Sequence, residues 1–208
     1  MTASDSGRFT ARRSLASLAL MLASLSLYTF ADLATKEWAL DALSLARPMR
    51  TPALCQANAD GEMPWQRVPK SAHTLVDGVL ELSYAENCGA AFGLLRDAPS
   101  WVRAAVFGLA AVGAAIVLTV TFMRGFGGRS FVIAVPLILS GAIGNLTDRL
   151  RHGYVVDFIQ IDPRLFSYPT FNVADIAITI GVALLLIDSM KTPDAASGAP
   201  PTVAKDAA

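Results

Sequence analysis

Residues Gly141-Ala-Ile-Gly-Asn-Leu-Thr-Asp-Arg-Leu-Arg-His-Gly-Tyr-Val-Val-Asp-Phe-Ile-Gln160, followed after a short Pro-containing turn by Phe171-Asn-Val-Ala-Asp-Ile-Ala177, decide how the chain is read. They set two aspartates, Asp157 and Asp175, among Val, Phe, Ile and Ala neighbours. A carboxylate taken out of water is costly unless it is paired or protonated. Two of them in such company suggest a pair whose proton affinities matter.

Outward from that stretch the chain reads as a membrane protein. Of its 208 residues 53% are hydrophobic and 16% charged, which is too apolar for an ordinary soluble domain. No charge occurs from Ser14 to Ala31, Ala104 to Met123 or Ser130 to Thr147, and Leu165 to Ile187 carries Asp175 alone. Each run is near the ~20 residues a helix needs to cross hydrocarbon. The balance of 17 basic and 17 acidic residues gives no reason to expect nucleic acid as a partner.

Arg12-Arg13 ahead of the first apolar run also fits a secretory or twin-arginine signal peptide, but the run exceeds the ~7 to 15 residues of a signal core. A retained span is therefore expected. It ends in Asp32 and Lys36, four apart on one face: either a helix-end ion pair or part of an active-site wall. The N-terminal arginines and the Arg124 to Arg129 linker place both termini in the cytoplasm by the positive-inside rule. Every polar motif then meets at the outer leaflet.

The loop from Glu37 to Arg103 is too long for a bare connection. It holds a Pro-rich excursion with Pro48, Pro52, Pro64 and Pro69, then a strand-like alternation from Leu75 to Tyr84, then Glu86-Asn-Cys-Gly-Ala-Ala-Phe-Gly93. Cys55 and Cys88 both fall in this loop, so an oxidising compartment permits a disulfide there, two free thiols being the alternative. The second apolar run reads as scaffold; the third contains Pro136 and the small residues Ser140 to Gly144.

Asn145, Asp148 and Arg149 share a helical face, as do Asn172 and Asp175. Asp148, beside Arg149 and Arg151, reads as a structural ion pair. Asp157 and Asp175 have no adjacent cation, and facing one another they are expected to share a proton. Such a pair suits water-mediated peptide hydrolysis, one aspartate as base and the other as acid. His73 and His152 lack ligand spacing, so neither a metal nor another cofactor is expected.

The chain resembles the lipoprotein signal peptidase (signal peptidase II) family of bacterial membrane aspartyl proteases. The likeness rests on Asp32-Leu-Ala-Thr-Lys36, Asn87-Cys-Gly-Ala-Ala-Phe-Gly93, Gly144-Asn-Leu-Thr-Asp-Arg149 with Val155-Val-Asp-Phe158, and Phe171-Asn-Val-Ala-Asp175. It implies an all-α four-helix transmembrane bundle with a small extracytoplasmic β-cradle and a short interfacial helix. It makes Asp157 and Asp175 the catalytic dyad, and Asp32, Lys36, Asn87, Gly89, Asn145, Asp148, Arg149 and Asn172 substrate-binding or supporting residues. The implied activity is removal of the signal peptide from diacylglyceryl-modified prolipoproteins, cut before the lipidated cysteine. The implied partners are that substrate and membrane lipid, with the enzyme monomeric in the inner membrane and its site at the periplasmic leaflet.

The expected organisation is a cytoplasmic N-terminus (1–13), a four-span peptidase domain (14–190) with a periplasmic loop (37–102), and a disordered cytoplasmic tail (191–208). The chain departs from the family's pattern in a longer gap between Asp32 and Asn87, an insertion at about 45–72, and in the cysteine after Asn87. An ion-coupled transporter would also explain intramembrane acids, but it predicts them near the midplane in symmetric halves, not at helix ends on one face. A non-catalytic prolipoprotein-binding membrane protein is the third reading.

Overall fold

The computed structural model describes residues 13–47, 54–56, 64–89, 98–161 and 168–191. In chain order these form α1 (Leu15–Leu43), β1 (Ser44–Ala46), β2 (Arg67–Pro69), β3 (His73–Val76), β4 (Leu80–Asn87), α2 (Ser100–Met123), α3 (Arg129–Arg151), β5 (Val155–Ile161) and α4 (Val173–Lys191). All four helices are long and apolar enough to cross a membrane. Their outer faces carry Leu109, Ile116 and Leu186, each more than half exposed, a surface suited to hydrocarbon and not to water.

Helix α3 is the central post, in contact with α1, α2 and α4. Small residues let it come close. A side chain at Gly141 would strike Ala174 O and Ile178 of α4, and one at Gly144 would strike the Asp32 carboxylate of α1. Pro136 sits inside α3 without ending it. At one end of the bundle Arg13 donates to Phe126 O and Gly127 O, both at 2.9 Å, and Asp188 of α4 accepts from Gly128 N and Phe131 N at the start of α3. The start of α1, the α2–α3 turn and the end of α4 therefore share one end. The polar residues discussed below lie at the other.

That opposite end carries two small antiparallel sheets, β1-β2 and β3-β4-β5. Glu86 of β4 links them by accepting from Gln66 N at 2.7 Å and Arg67 N at 2.9 Å. Beneath them Ala39, Leu40, Leu43, Tyr84, Tyr154, Val156 and Phe158 form a core that fastens the sheet to the end of α1.

Several elements differ from the sequence-based expectation. The apolar run at Ser14 continues as helix to Leu43, because Asp32 and Lys36 are satisfied by other helices. The expected single strand from Leu75 to Tyr84 is a hairpin. Asp77-Gly78-Val79 turns between β3 and β4, with Gly78 at φ 69°, a conformation a glycine adopts without strain. The fourth span starts at Val173, not Leu165, since Phe171 is engaged by β5. The short interfacial helix has no counterpart among the described residues; of the expected disordered tail Lys191 is the last residue of α4, and 192–208 lie outside the described residues.

Candidate active site

Asp157 is the third residue of β5, a seven-residue strand whose first four residues are buried. It is thus on a strand and not at a helix end, the position that one-sided placement of the acids had suggested. Its backbone partner on β4 is Ala85. Two residues further along the same face of β4, Asn87 donates its Nδ2 to Asp157 Oδ2 at 3.0 Å.

On the other edge of β5, Phe171 returns antiparallel, its N–H donating to Ile159 O at 3.0 Å and its carbonyl accepting from Ile159 N at 2.8 Å. This one rung brings the next residues to Asp157. Asn172, fully buried, donates Nδ2 to Asp157 Oδ1 at 2.6 Å. It is also the N-cap of α4. Its Oδ1 accepts from Asp175 N at 3.0 Å while its own N–H donates to Asp175 Oδ2 at 3.2 Å, a reciprocal capping box. Asn172 therefore precedes the helix and does not share a helical face with Asp175. The consequence is sharper than a shared face, because one side chain touches both aspartate residues.

A second cap comes from α1. Asp32 Oδ1 accepts from Ala174 N at 2.8 Å, so two carboxylates meet the N-terminal end of α4, where the helix dipole favours negative charge. Lys36 lies at the centre of the ionic cluster, 2.9 Å from Asp32 Oδ2 and 3.2 Å from Asp148 Oδ2, and donates to Asn145 Oδ1 at 2.8 Å. Asp32 and Lys36 thus form a buried ion pair, linked through Asn145 to the Asp175 carboxylate. Asp148 pairs with Lys36 and accepts from Val156 N at 3.0 Å, not with its neighbours Arg149 and Arg151. A helix turns consecutive residues about 100° apart, so neighbours in sequence face different ways.

Asn145 joins the groups. It donates Nδ2 to Asp175 Oδ1 at 2.9 Å, and its Oδ1 accepts from Lys36 and from Asn172 Nδ2 at 3.2 Å. Arg149 points away from Asp148, donating to Gly89 O at 2.8 Å and lying 4.2 Å from the centroid of the Phe107 ring. All ten residues expected at the site gather at this end of the bundle. Sequence reasoning passed over Gly144, whose missing side chain makes room for Asp32; its signal was the run of small residues ahead of Asn145.

The Asp157 carboxyl is pushed up to about 8, first by burial and then by the charge of Asp175, while the amides of Asn87 and Asn172 and the charge of Lys36 act the other way. At neutral pH it holds a proton. Three amides, of Asn87, Asn172 and Asn145, hold the two carboxyls, and a protonated Asp157 is equipped to donate to a reacting group. Among the described residues no cluster of three or more His, Cys, Asp or Glu is arranged to hold a metal ion. An apolar cavity of about 250 Å³ opens between α2, α3 and α4, lined by Ala111, Ala114, Ala142 and Ile178, with Asn145 and Arg149 at its polar end.

Fold and site define a helical membrane-bundle protein with a small β-region. Two solved structures, both titled as bacterial membrane enzymes, share the fold with a TM-score of 0.63 at 21% and 22% identity, covering 91% and 86% of this chain and 98% and 97% of theirs. The family described as signal peptidase (SPase) II matches residues 24–191, and the chain belongs to it. It is 46% identical over 114 residues to a lipoprotein signal peptidase of Photorhabdus laumondii and 44% over 116 residues to one of Cupriavidus necator. These matches cover 54% and 56% of this chain and about two thirds of the relatives, 68% and 66%.

Proposed function

We propose that the chain is an intramembrane aspartyl endopeptidase that removes the signal peptide from diacylglyceryl-modified prolipoproteins, cutting before the lipidated cysteine. The observation that carries this reading is Asn172, which holds the Asp157 carboxyl at 2.6 Å and binds both the backbone and the carboxylate of Asp175. Family membership supports the substrate class.

In this mechanism Asp175 is the base and Asp157 the acid. Asp175 takes a proton from water as the oxygen attacks the scissile carbonyl. Asp157 polarises that carbonyl with its proton and passes it on to the departing amine. Asn145 and Asn172 keep the two carboxyls aimed at one point. The apolar cavity beside Asn145 takes part of the membrane-embedded substrate, leaving the peptide bond at the polar end. The end bearing Arg13 and the α2–α3 turn is cytoplasmic, which puts the dyad at the periplasmic leaflet. The working unit is one four-span domain (14–190) acting as a monomer.

The test is cleavage of a diacylglyceryl-modified prolipoprotein by purified protein in detergent, with Asp157→Asn and Asp175→Asn matched for thermal stability. Cleavage by the parent and silence of both variants is the expected result. Activity retained by either variant rejects the dyad, and a folded parent that never cuts rejects the peptidase.

A further inference from the structure

One covalent bond ties the Pro-rich excursion to the segment after β4: Cys55 and Cys88, 33 positions apart, form a disulfide. We propose that this disulfide, with the 54–56 segment it fastens, is a positioning device for the site, holding Asn87 and Gly89 against Asp157 and Arg149 so that the cleavage rate depends on it. The inference rests on the reading of Asp157 as an acting carboxyl.

Three successive residues carry it. Asn87 donates to Asp157 Oδ2 at 3.0 Å; Cys88 is bonded to Cys55; Gly89 donates its N–H to Asn87 Oδ1 at 3.1 Å and offers its carbonyl to Arg149 at 2.8 Å. The last ladder partnership of β4 is Asn87 with Val155, so past that point the sheet no longer holds the chain. The disulfide takes over there.

The other end is well anchored. Cys55 is buried in the core with Tyr84, Tyr154 and Val156 and is held at φ 50°, an uncommon conformation for a residue with a side chain. Leu54 lies on the turn that leads into β5, where a side chain on Gly153 (φ 81°) would strike it. The 54–56 segment is thus set against the ends of both strands that carry site residues, Asn87 on β4 and Asp157 on β5. The groups facing Asp157 come from every neighbouring element: Asp175 of α4, Lys36 of α1, Arg149 of α3, Asn87 of β4 and the N-cap Asn172.

The test compares the parent with Cys55→Ser and Cys88→Ser in the detergent assay from pH 5 to 10, well below each melting temperature. Dithiothreitol on the folded parent is the second route to the open form: it breaks the S–S bond, leaves thiols on Cys55 and Cys88 and becomes its own cyclic disulfide. The expected result is a loss of kcat on the order of ten- to hundredfold by either route. The alkaline limb moves to higher pH, because Asp157 loses a donor to its ionised form. Cys55→Ser adds little to the loss in an Asn87→Ala background. A lower melting temperature with unchanged kcat and pH profile overturns the proposal, as does a loss that adds in full to that of Asn87→Ala. If the parent never cuts, the peptidase reading has failed; positioning is then judged by the pH midpoint of the Asp157-linked change in melting temperature. An upward move of that midpoint in Cys55→Ser supports the proposal, and an unmoved one rejects it.

Discussion

Lys36 on α1 donates to Asn145 on α3 across 2.8 Å, and through that bond the buried ions and the amides around the dyad become one network. Among the described residues Lys36 is the cation that stands between Asp32 and Asp148, each within 3.2 Å and all three nearly inaccessible. Removing the cation leaves two buried carboxylates without their counter-ion. Lys36→Met is expected to destabilise the protein by about 3–5 kcal/mol, seen as a drop in melting temperature in detergent. Adding Asp32→Asn and Asp148→Asn should recover much of that stability. A Lys36→Met protein as stable as the parent would show that the cluster is not held by this charge.

Asp157 makes both stability and activity depend on pH. Its proton affinity is raised in the folded protein, to about 8 from the 3.8 of an unperturbed carboxyl. Between those values the folded state binds more protons than the unfolded one, so stability falls as pH rises from about 4 toward 8 and levels off above. Asp157→Asn should flatten that slope and leave the variant more stable than the parent at pH 8 to 9, by thermal denaturation across pH. If Asp157 supplies the proton, the parent's cleavage should decline above pH 8, and a rate still rising at pH 9 would reverse the roles of the two aspartates.

The four spans and most of the residues gathered at the polar end could be read from the chain because their signals are local. Uncharged runs give the helices, and Asp157 or Asp175 among aliphatic neighbours gives the acids. The partnerships were less accessible, being tertiary. Asp148 looks paired with Arg149 by adjacency, yet its cation comes from α1, 112 positions earlier in a chain of known sequence. Asn172 and Asp175 have the spacing of a shared face and also that of a capping box. Only the rung between Phe171 and β5 settles which of the two forms, by ending the extended chain just ahead of Asn172. The disulfide stood open beside two free thiols, since sequence does not fix where Cα atoms lie; those of Cys55 and Cys88 are 5.6 Å apart.

Gly144 is a site residue by absence. Its hydrogen faces the Asp32 carboxylate, and a methyl there would push Asp32 off Lys36 and off Ala174 N. Gly144→Ala should cost about 1–3 kcal/mol by overpacking and bring a marked loss of cleavage. Gly108→Ala on α2 is the control: its added methyl meets nothing within 4 Å, so it should be neutral or slightly stabilising. Equal melting temperatures and rates for the two variants would remove Gly144 from the site.

Asn172 offers the most direct probe of how the acids are held, because each of its roles can be removed separately. Alanine abolishes the donor to Asp157 and the cap on Asp175 N together. Asn172→Ala should lose about 1–3 kcal/mol of stability from the orphaned partners and on the order of 10²-fold in kcat. Aspartate keeps the acceptor for Asp175 N but places a carboxylate where the amide donor met Asp157, 2.6 Å away. With Asp157 protonated at pH 7, the new carboxylate accepts that proton and turns it away from the reacting carbonyl, so Asn172→Asp should keep the cap yet cut no better than Asn172→Ala at pH 7. Its residual activity should rise toward acid pH, where the extra carboxyl is protonated and can donate again. Rates of the two variants at pH 5 and 7 decide the point: if Asn172→Asp works as well as the parent at pH 7, capping of Asp175 is what matters and the donor to Asp157 is dispensable.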